Sequence, residues 1–233
     1  MSIIGDNSTV IIAGGNGLVG SELTKLLLEN DPISKVYALV RQPLPFFHPK
    51  LDAIQDDQLR VLEWNEEQPI PEIGFICLGT TKKKAGSKAA LEKIDYELVC
   101  DVAQSMKVLG VKKIVVVSSY GASVQSLSHY LKCKGKMEHA ISRLDFENTV
   151  FIRPGPLRGI RDEPRNDELA LQVIMKAIRP LMIGKLRNLI PIDATDVATA
   201  MLYSAFDNSL GKHSILTTVQ MRELLEKYLP SNH

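Results

Sequence analysis

Thr9-Val10-Ile11-Ile12-Ala13-Gly14-Gly15-Asn16-Gly17-Leu18-Val19-Gly20 starts as an apolar run, breaks into glycine and resumes as a helical pattern. Val10 to Ala13 has the β-branched content of a strand buried on both faces. Leu18, Val19, Leu23, Leu26 and Leu27 then recur at helical spacing. A strand, a glycine turn and a helix N-terminus are the parts that hold a pyrophosphate. The first-turn N–H groups of the helix have no internal partner, and its dipole favours an anion there. Gly14 allows the tight turn, Gly17 lets backbone approach a phosphate with no Cβ in the way, and Gly20 lets the helix lie close to the strand. Such a turn also occurs without a ligand. The strand before it, the helix after it and its place near the N-terminus favour nucleotide binding.

Working outward, the composition suits one globular domain over residues 1–233: 45% of residues are apolar and 24% charged. A net charge of +1 carries no footprint for nucleic acid or a membrane surface. No apolar run approaches the ~20 residues of a membrane span. The first ten residues have neither the basic start nor the long apolar run of a secretory signal. Cys77, Cys100 and Cys133 lie far apart and in no metal-binding spacing. An odd, unframed set of thiols fits a reducing compartment, so the expectations are a cytoplasmic protein with no metal site.

Lys35 to Val40 reads as the second strand, and its end bears on cofactor choice. Folds of this kind that take NAD place an acid there for the ribose 2′-hydroxyl. This chain has Val40-Arg41-Gln42. Arg41 is either a solvated strand-end residue or the partner of a 2′-phosphate, and the missing acid favours NADP. Residues 42–57, with Pro43, Pro45, Pro49 and the Phe46-Phe47 pair, read as loop, and Leu59 to Glu63 as a short third strand. Ile73 to Leu78 reads as the fourth. It runs into Gly79-Thr80-Thr81 and the lysines Lys82 to Lys84, which read as a solvated loop. Strand ends of a parallel sheet converge on the ligand crevice, which puts Leu78, Gly79 and Thr80 beside adenosine and ribose. Leu91, Ile94, Leu98, Val102, Met106 and Leu109 trace an amphipathic helix that stops at Gly110.

The β-branched strand Lys113–Val117 ends in Ser118-Ser119 and is followed by His129-Tyr130-Leu131-Lys132-Cys133-Lys134. Tyr130 and Lys134 are four apart and share a helix face. A nearby ammonium favours the phenolate, which readies Tyr130 for proton exchange, and Ser118 or Ser119 can hold the reacting oxygen. A Tyr-x-x-x-Lys pair is also common on helix surfaces; the preceding serines and the glycine turn favour the catalytic reading. His129 reads as a packing or solvent-facing residue and Cys133 as a small helix filler. Asn148–Arg153 is a sixth strand ending in Pro154-Gly155-Pro156-Leu157, whose backbone should lie near a nicotinamide. Residues 155–190 read as a lid, highly charged from Arg158 to Glu168 and helical from Leu169 to Ile178. Asp193 is a helix N-cap, His213–Leu216 a last strand and Met221–Leu229 a final helix. The fold class is α/β, a doubly wound parallel sheet with a small C-terminal substrate and lid region.

With these residues in place, the chain resembles atypical short-chain dehydrogenases/reductases, and among these the Tat-interacting-protein oxidoreductase group of Rossmann proteins. Cys77-Leu78-Gly79-Thr80-Thr81 followed by Lys84-Ala85-Gly86 is the most specific match. Arg153-Pro154-Gly155 and Asp196-Val197-Ala198 are shared more widely. The resemblance implies NADPH in the crevice. Gly14, Gly15, Asn16, Gly17, Leu18 and Val19 would meet the pyrophosphate, Arg41 the 2′-phosphate, and Leu78, Gly79 and Thr80 the adenosine side. Pro154 and Leu157 would lie by the nicotinamide, with Ser118, Tyr130 and Lys134 at its ribose and the reacting group. Such chains often carry two arginines where this one has Arg41-Gln42. The expected function is hydride transfer between NADP(H) and a small carbonyl or alcohol, with a non-catalytic NADPH sensor acting on a protein partner as the alternative. Monomer and homodimer are both compatible with the sequence.

Overall fold

The computed structural model describes residues 7–44, 46–80, 85–158 and 184–228. The organising element is a seven-stranded sheet in the order β3-β2-β1-β4-β5-β6-β9. Its strands are β1 (Ser8–Ala13), β2 (Ile33–Val40), β3 (Leu51–Gln55), β4 (Ile73–Ile76), β5 (Lys113–Val117), β6 (Asn148–Arg153) and β9 (His213–Thr217), and every pairing is parallel. Strand order reverses between β1 and β4, so the carboxyl ends of these two strands flank the crevice of a doubly wound fold, as expected.

The pleat of β1 divides the core in two. Val10 and Ile12 face a layer with Leu23 and Leu27 of α1 (Leu18–Glu29), Val197, Ala198 and Met201 of a helix at Ala194–Phe206, and Met221 of the last helix, Thr218–Tyr228. Ile11 and Ala13 face the opposite layer. There they meet α2, which is α-helical over Lys88–Glu92, π-helical over Lys93–Leu98 and α-helical again over Val99–Leu109. α3 (His129–Ser142) contributes Met137 and Ile141 to the same layer. The two C-terminal helices are α4 and α5. Ser87 caps α2 by accepting from the Ala90 N–H at 3.1 Å, and Gly110 closes it at φ +110°.

The third strand corrects the sequence reading. β3 is Leu51–Gln55, inside the segment expected to be loop, and it pairs with Val36–Val40. Leu59 to Glu63 is not a strand. Leu59 takes φ +57° in a turn built on Asp56, whose Oδ1 accepts from the N–H groups of Gln58 and Arg60 at 3.0 and 2.9 Å. The apolar run enters the core through that turn, with Leu59 only 5% exposed.

Downstream of β6, β7 (Leu157–Arg158) pairs in parallel with β8 (Ile192–Asp193), so the two ends of the lid region lie side by side. A 3₁₀ turn at Gly184–Leu189 leads into β8. It is pinned where the Asn188 carbonyl accepts from Thr218 Oγ1 at 3.2 Å and Asn188 Oδ1 accepts from the Val219 N–H at 3.1 Å. The helix expected from Leu169 to Ile178 and the lysines Lys82 to Lys84 lie outside the described residues.

Candidate functional site

Gly14 leaves β1 at φ +85°, and a Cβ there would stand 2.8 Å from the Cys77 carbonyl carbon. The β1 and β4 exits are therefore in backbone contact, which only glycine permits. The Gly17 N–H donates to the Gly14 carbonyl at 3.0 Å, closing the turn. A Cβ on Gly20 would fall 2.0 Å from the Gly14 oxygen, so α1 touches the turn through that glycine. No side chain caps α1, and its first turn carries no acid. Asn16 and Gly17 are exposed, Gly14, Gly15 and Leu18 half-buried, and Val19 buried. An uncapped N-terminus behind a glycine turn is a cradle for a phosphate.

Arg41 stands exposed at the end of β2, its Nε donating to the Asp57 carbonyl at 3.1 Å. The remaining guanidinium donors lie beyond that bond. On the other side of the crevice Leu78 is half-buried and Gly79 exposed. Behind Gly79 lies the most buried charge pair of the fold. Lys134 Nζ is 2.9 Å from Asp95 Oδ1, and the two side chains are 2% and 0% exposed. The same ammonium donates to the Val117 carbonyl at 3.3 Å, and Asp95 Oδ2 accepts from the Thr80 N–H at 3.0 Å. A Cβ on Gly79 would come within 3.3 Å of Lys134 Nζ. Lys134 thus ties the ends of β4, β5 and the π segment of α2 together just beneath the crevice. Tyr130, half-buried one turn earlier on α3, has no hydroxyl partner among the described residues.

The two serines separate. Ser118 is 3% exposed and its hydroxyl donates to Glu138 Oε1. Glu138 is also the carboxylate of Arg153, which donates through Nε at 2.9 Å and through Nη2. Ser118 therefore braces β5, β6 and α3, in place of the substrate contact expected of it. Ser119 is half-buried, with no partner for its hydroxyl among the described residues. Pro154 is buried and its carbonyl accepts from the Tyr120 N–H at 2.9 Å. Leu157 is half-buried in β7, where the lid region leaves the sheet.

Asp95, Glu138 and Arg153 escaped the sequence reading, although two of them carried a signal. Asp95 falls on the apolar stripe of α2, four after Leu91 and three before Leu98, where a carboxylate needs a buried partner. Glu138 continues the face of Tyr130 and Lys134 by one more turn. Burial pushes the thiols of Cys77 and Cys100 up to about 12, the charge of Asp101 adding to the effect at Cys100. Glu92, His129 and Cys133 also converge, each offering one donor atom within 4.8 Å of the others. A reading of cysteine spacing alone does not register that mixed set.

The parallel sheet, its order reversal and the glycine cradle at the switch point define the class: a protein of the doubly wound Rossmann fold. The family model of HIM1 matches residues 50–181, and the chain belongs to that family. Its relatives include Protein FMP52, mitochondrial, from Coccidioides immitis, 36% identical over 205 residues that make up 83% of each chain. The protein of the same name from Meyerozyma guilliermondii is 32% identical over 213 residues, 90% of this chain and 85% of that one. Among solved structures, MoeE5 in complex with UDP-glucose and NAD superposes with a TM-score of 0.62 at 17% identity, over 95% of this chain and 82% of its own. The human epimerase family protein SDR39U1 with NADPH superposes with a TM-score of 0.57 at 15% identity, over 89% and 72%. Those likenesses establish the fold. The relatives' names overturn the cytoplasmic placement. Thiol usage reports a redox state, and a reducing state is not an address.

Proposed function

We propose that this chain is an NADP(H)-dependent oxidoreductase of the short-chain dehydrogenase type, resident in mitochondria like the relatives whose names say so, and acting on a small carbonyl or alcohol. The observation that carries the proposal is a glycine cradle with no internal cap at the end of β1, beside a β4 exit beneath whose Gly79 the Lys134 ammonium is fixed, with Tyr130 one turn earlier on α3. Structural neighbours solved with NAD and with NADPH support a nicotinamide cofactor. Arg41, in a strand-end sequence Val40-Arg41-Gln42 that carries no acid, supports the phosphorylated form.

The residues fit such a group: the N–H groups of Leu18 and Val19 at the start of α1 for the pyrophosphate, the Arg41 guanidinium for a 2′-phosphate, and the backbone at Leu78 and Gly79 for the adenosine side. A nicotinamide held by these residues would supply or take the hydride. Tyr130 gives its hydroxyl proton to the carbonyl oxygen during reduction and takes it back during oxidation. Lys134, held by Asp95 and the Val117 carbonyl, places a fixed positive charge under that end of the crevice. Ser119 is the serine left to orient the oxygen, since Ser118 is bonded to Glu138.

The test has two arms. NADPH and NADH are titrated against wild type and Arg41→Ala. Loss of one charge-assisted contact, about 1.5–3 kcal/mol, is expected to weaken NADPH about 10- to 100-fold and leave NADH unchanged. Equal, weak binding of both by wild type would sink the NADP reading. Carbonyl panels are then followed by NADPH absorbance. Tyr130→Phe is expected to lower kcat by about 10²–10⁴-fold with the cofactor Kd unchanged. Tight NADPH binding with no turnover on a broad panel would instead identify a sensor.

A further inference from the structure

Outside the crevice, α2 and α3 bring three unlike donors to one point. His129 and Cys133 lie one helical turn apart, with His129 Nε2 3.6 Å from Cys133 Sγ. The same nitrogen is 3.9 Å from Glu92 Oε2 and 3.2 Å from the Lys88 carbonyl oxygen. Cys133 is fully buried, while His129 and Glu92 are half-buried, so the cluster has a dry floor and an open mouth. Lys136 holds the other oxygen of Glu92, Oε1, at 2.7 Å, which leaves Oε2 turned to the imidazole.

We propose that Glu92, His129 and Cys133 form a metal site for zinc(II), with the Lys88 carbonyl in reach as a fourth donor. Zinc bonds of ~2.3 Å to sulfur and ~2.0–2.1 Å to nitrogen at the tetrahedral angle place the two ligand atoms about 3.6 Å apart. The spacing found between Sγ and Nε2 is 3.6 Å. A thiolate, an imidazole and a carboxylate are the donor mixture of zinc and of no hard, oxygen-seeking cation. Lys136 does for Glu92 what outer partners do for metal ligands, fixing which oxygen faces inward.

A nucleophilic cysteine is the competing reading of a Cys–His contact, and the surroundings oppose it. The sulfur is buried, and burial, followed by the charge of Glu92, pushes the thiol up. A divalent cation reverses both effects. On binding, the Cys133 S–H proton passes to solvent, and His129, whose Nε2 faces the Lys88 carbonyl as a donor without metal, moves its ring proton to Nδ1 so that the Nε2 lone pair faces the metal. Glu92 closes the first segment of α2 immediately before the π turn that carries Asp95, and Cys133 precedes Lys134. A metal here would staple α2 to α3 at the two elements that set the buried ion pair. The inference stands independently of the proposed reaction.

The experiment uses the full chain stripped by a chelator and titrated with Co²⁺ alone, then with Zn²⁺. One Co²⁺ per chain is expected, with a thiolate-to-cobalt charge-transfer band and the intense visible bands of tetrahedral cobalt, both lost as Zn²⁺ displaces it. Cys133→Ala should abolish the charge-transfer band. His129→Ala and Glu92→Gln should each weaken Zn²⁺ by more than about tenfold, the least expected when even an outer partner is lost. Zn²⁺ should raise the melting temperature of wild type and not of these variants. If Cys133→Ala does not fold, the half-buried Glu92→Gln carries the decision. Absence of stoichiometric binding overturns the proposal. So does a spectrum unchanged in Cys133→Ala and His129→Ala, which would place the metal on other side chains such as His48, His139 or His213.

Discussion

The Lys134 ammonium has almost no water to solvate it, so its charge depends on Asp95. Removing one member of such a buried pair leaves an uncompensated charge, at a cost of about 3–5 kcal/mol. Asp95→Ala should therefore lower the urea midpoint by that order, and the double variant Asp95→Asn/Lys134→Met should recover most of the loss. An unchanged midpoint in Asp95→Ala would remove the pair from the account of the site. The thiols make a second residue-scale prediction. With Cys77 and Cys100 pushed up to about 12, neither holds much thiolate at neutral pH, and a disulfide reagent should modify them slowly until the chain is unfolded. The place of Arg41 at the exposed end of β2 was legible in the sequence, because a charged residue there follows an apolar strand run. Glu138 and Arg153 were not, because their meeting depends on the packing of α3 against β6.

Among the elements, α1 and its glycine turn were legible throughout, since each glycine answers to a clash the backbone would otherwise suffer. Gly20→Ala puts a methyl 2.0 Å from the Gly14 carbonyl oxygen, so α1 must shift off the turn. NADPH affinity should fall with it, measured beside the melting temperature; full affinity with an unmoved melting temperature would contradict the close contact. β3 was missed for a physical reason. It is an edge strand with only its first residue buried, so its apolar signal is weaker than that of the Leu59 turn, whose left-handed backbone no pattern announces. The apolar joint of α4 and α5 carries an ion pair as well, Lys227 Nζ lying 2.9 Å from Asp207 Oδ2. Burial alone would raise Asp207, but donors from Lys227 and Ser209 outweigh it and hold its carboxyl below the usual range. The contribution is full above the usual aspartate value of about 3.9 and is lost as pH falls through the lower folded value. Lys227→Ala should destabilise only modestly at pH 7, because the half-exposed ammonium is screened by water. The gap from wild type in urea melts should narrow below pH ~4 as Asp207 protonates; a constant gap would mean that Lys227 acts through packing.

For the whole molecule, the doubly wound order followed from the alternation of β-branched runs and amphipathic stretches, which leaves few other ways to cover both faces of a sheet. The charged, aperiodic run from Arg158 to Glu168 specifies no burial in the sequence, and residues 159–183 of the lid region lie outside the described residues. What the described residues add is its stem, the parallel β7–β8 pair. The sheet itself has a kinetic consequence. Every one of its pairings is parallel, so no two neighbouring strands can be joined by a hairpin, and each contact waits on a crossover. β9, the last strand made, is also an outer edge, and it leaves Ile215 41% exposed. During synthesis or refolding, β6 stands without its neighbour until His213–Thr217 is available. Refolding should accordingly be slow, on the order of milliseconds to seconds or longer, and the nascent protein should hold an unpaired apolar edge that a chaperone can recognise.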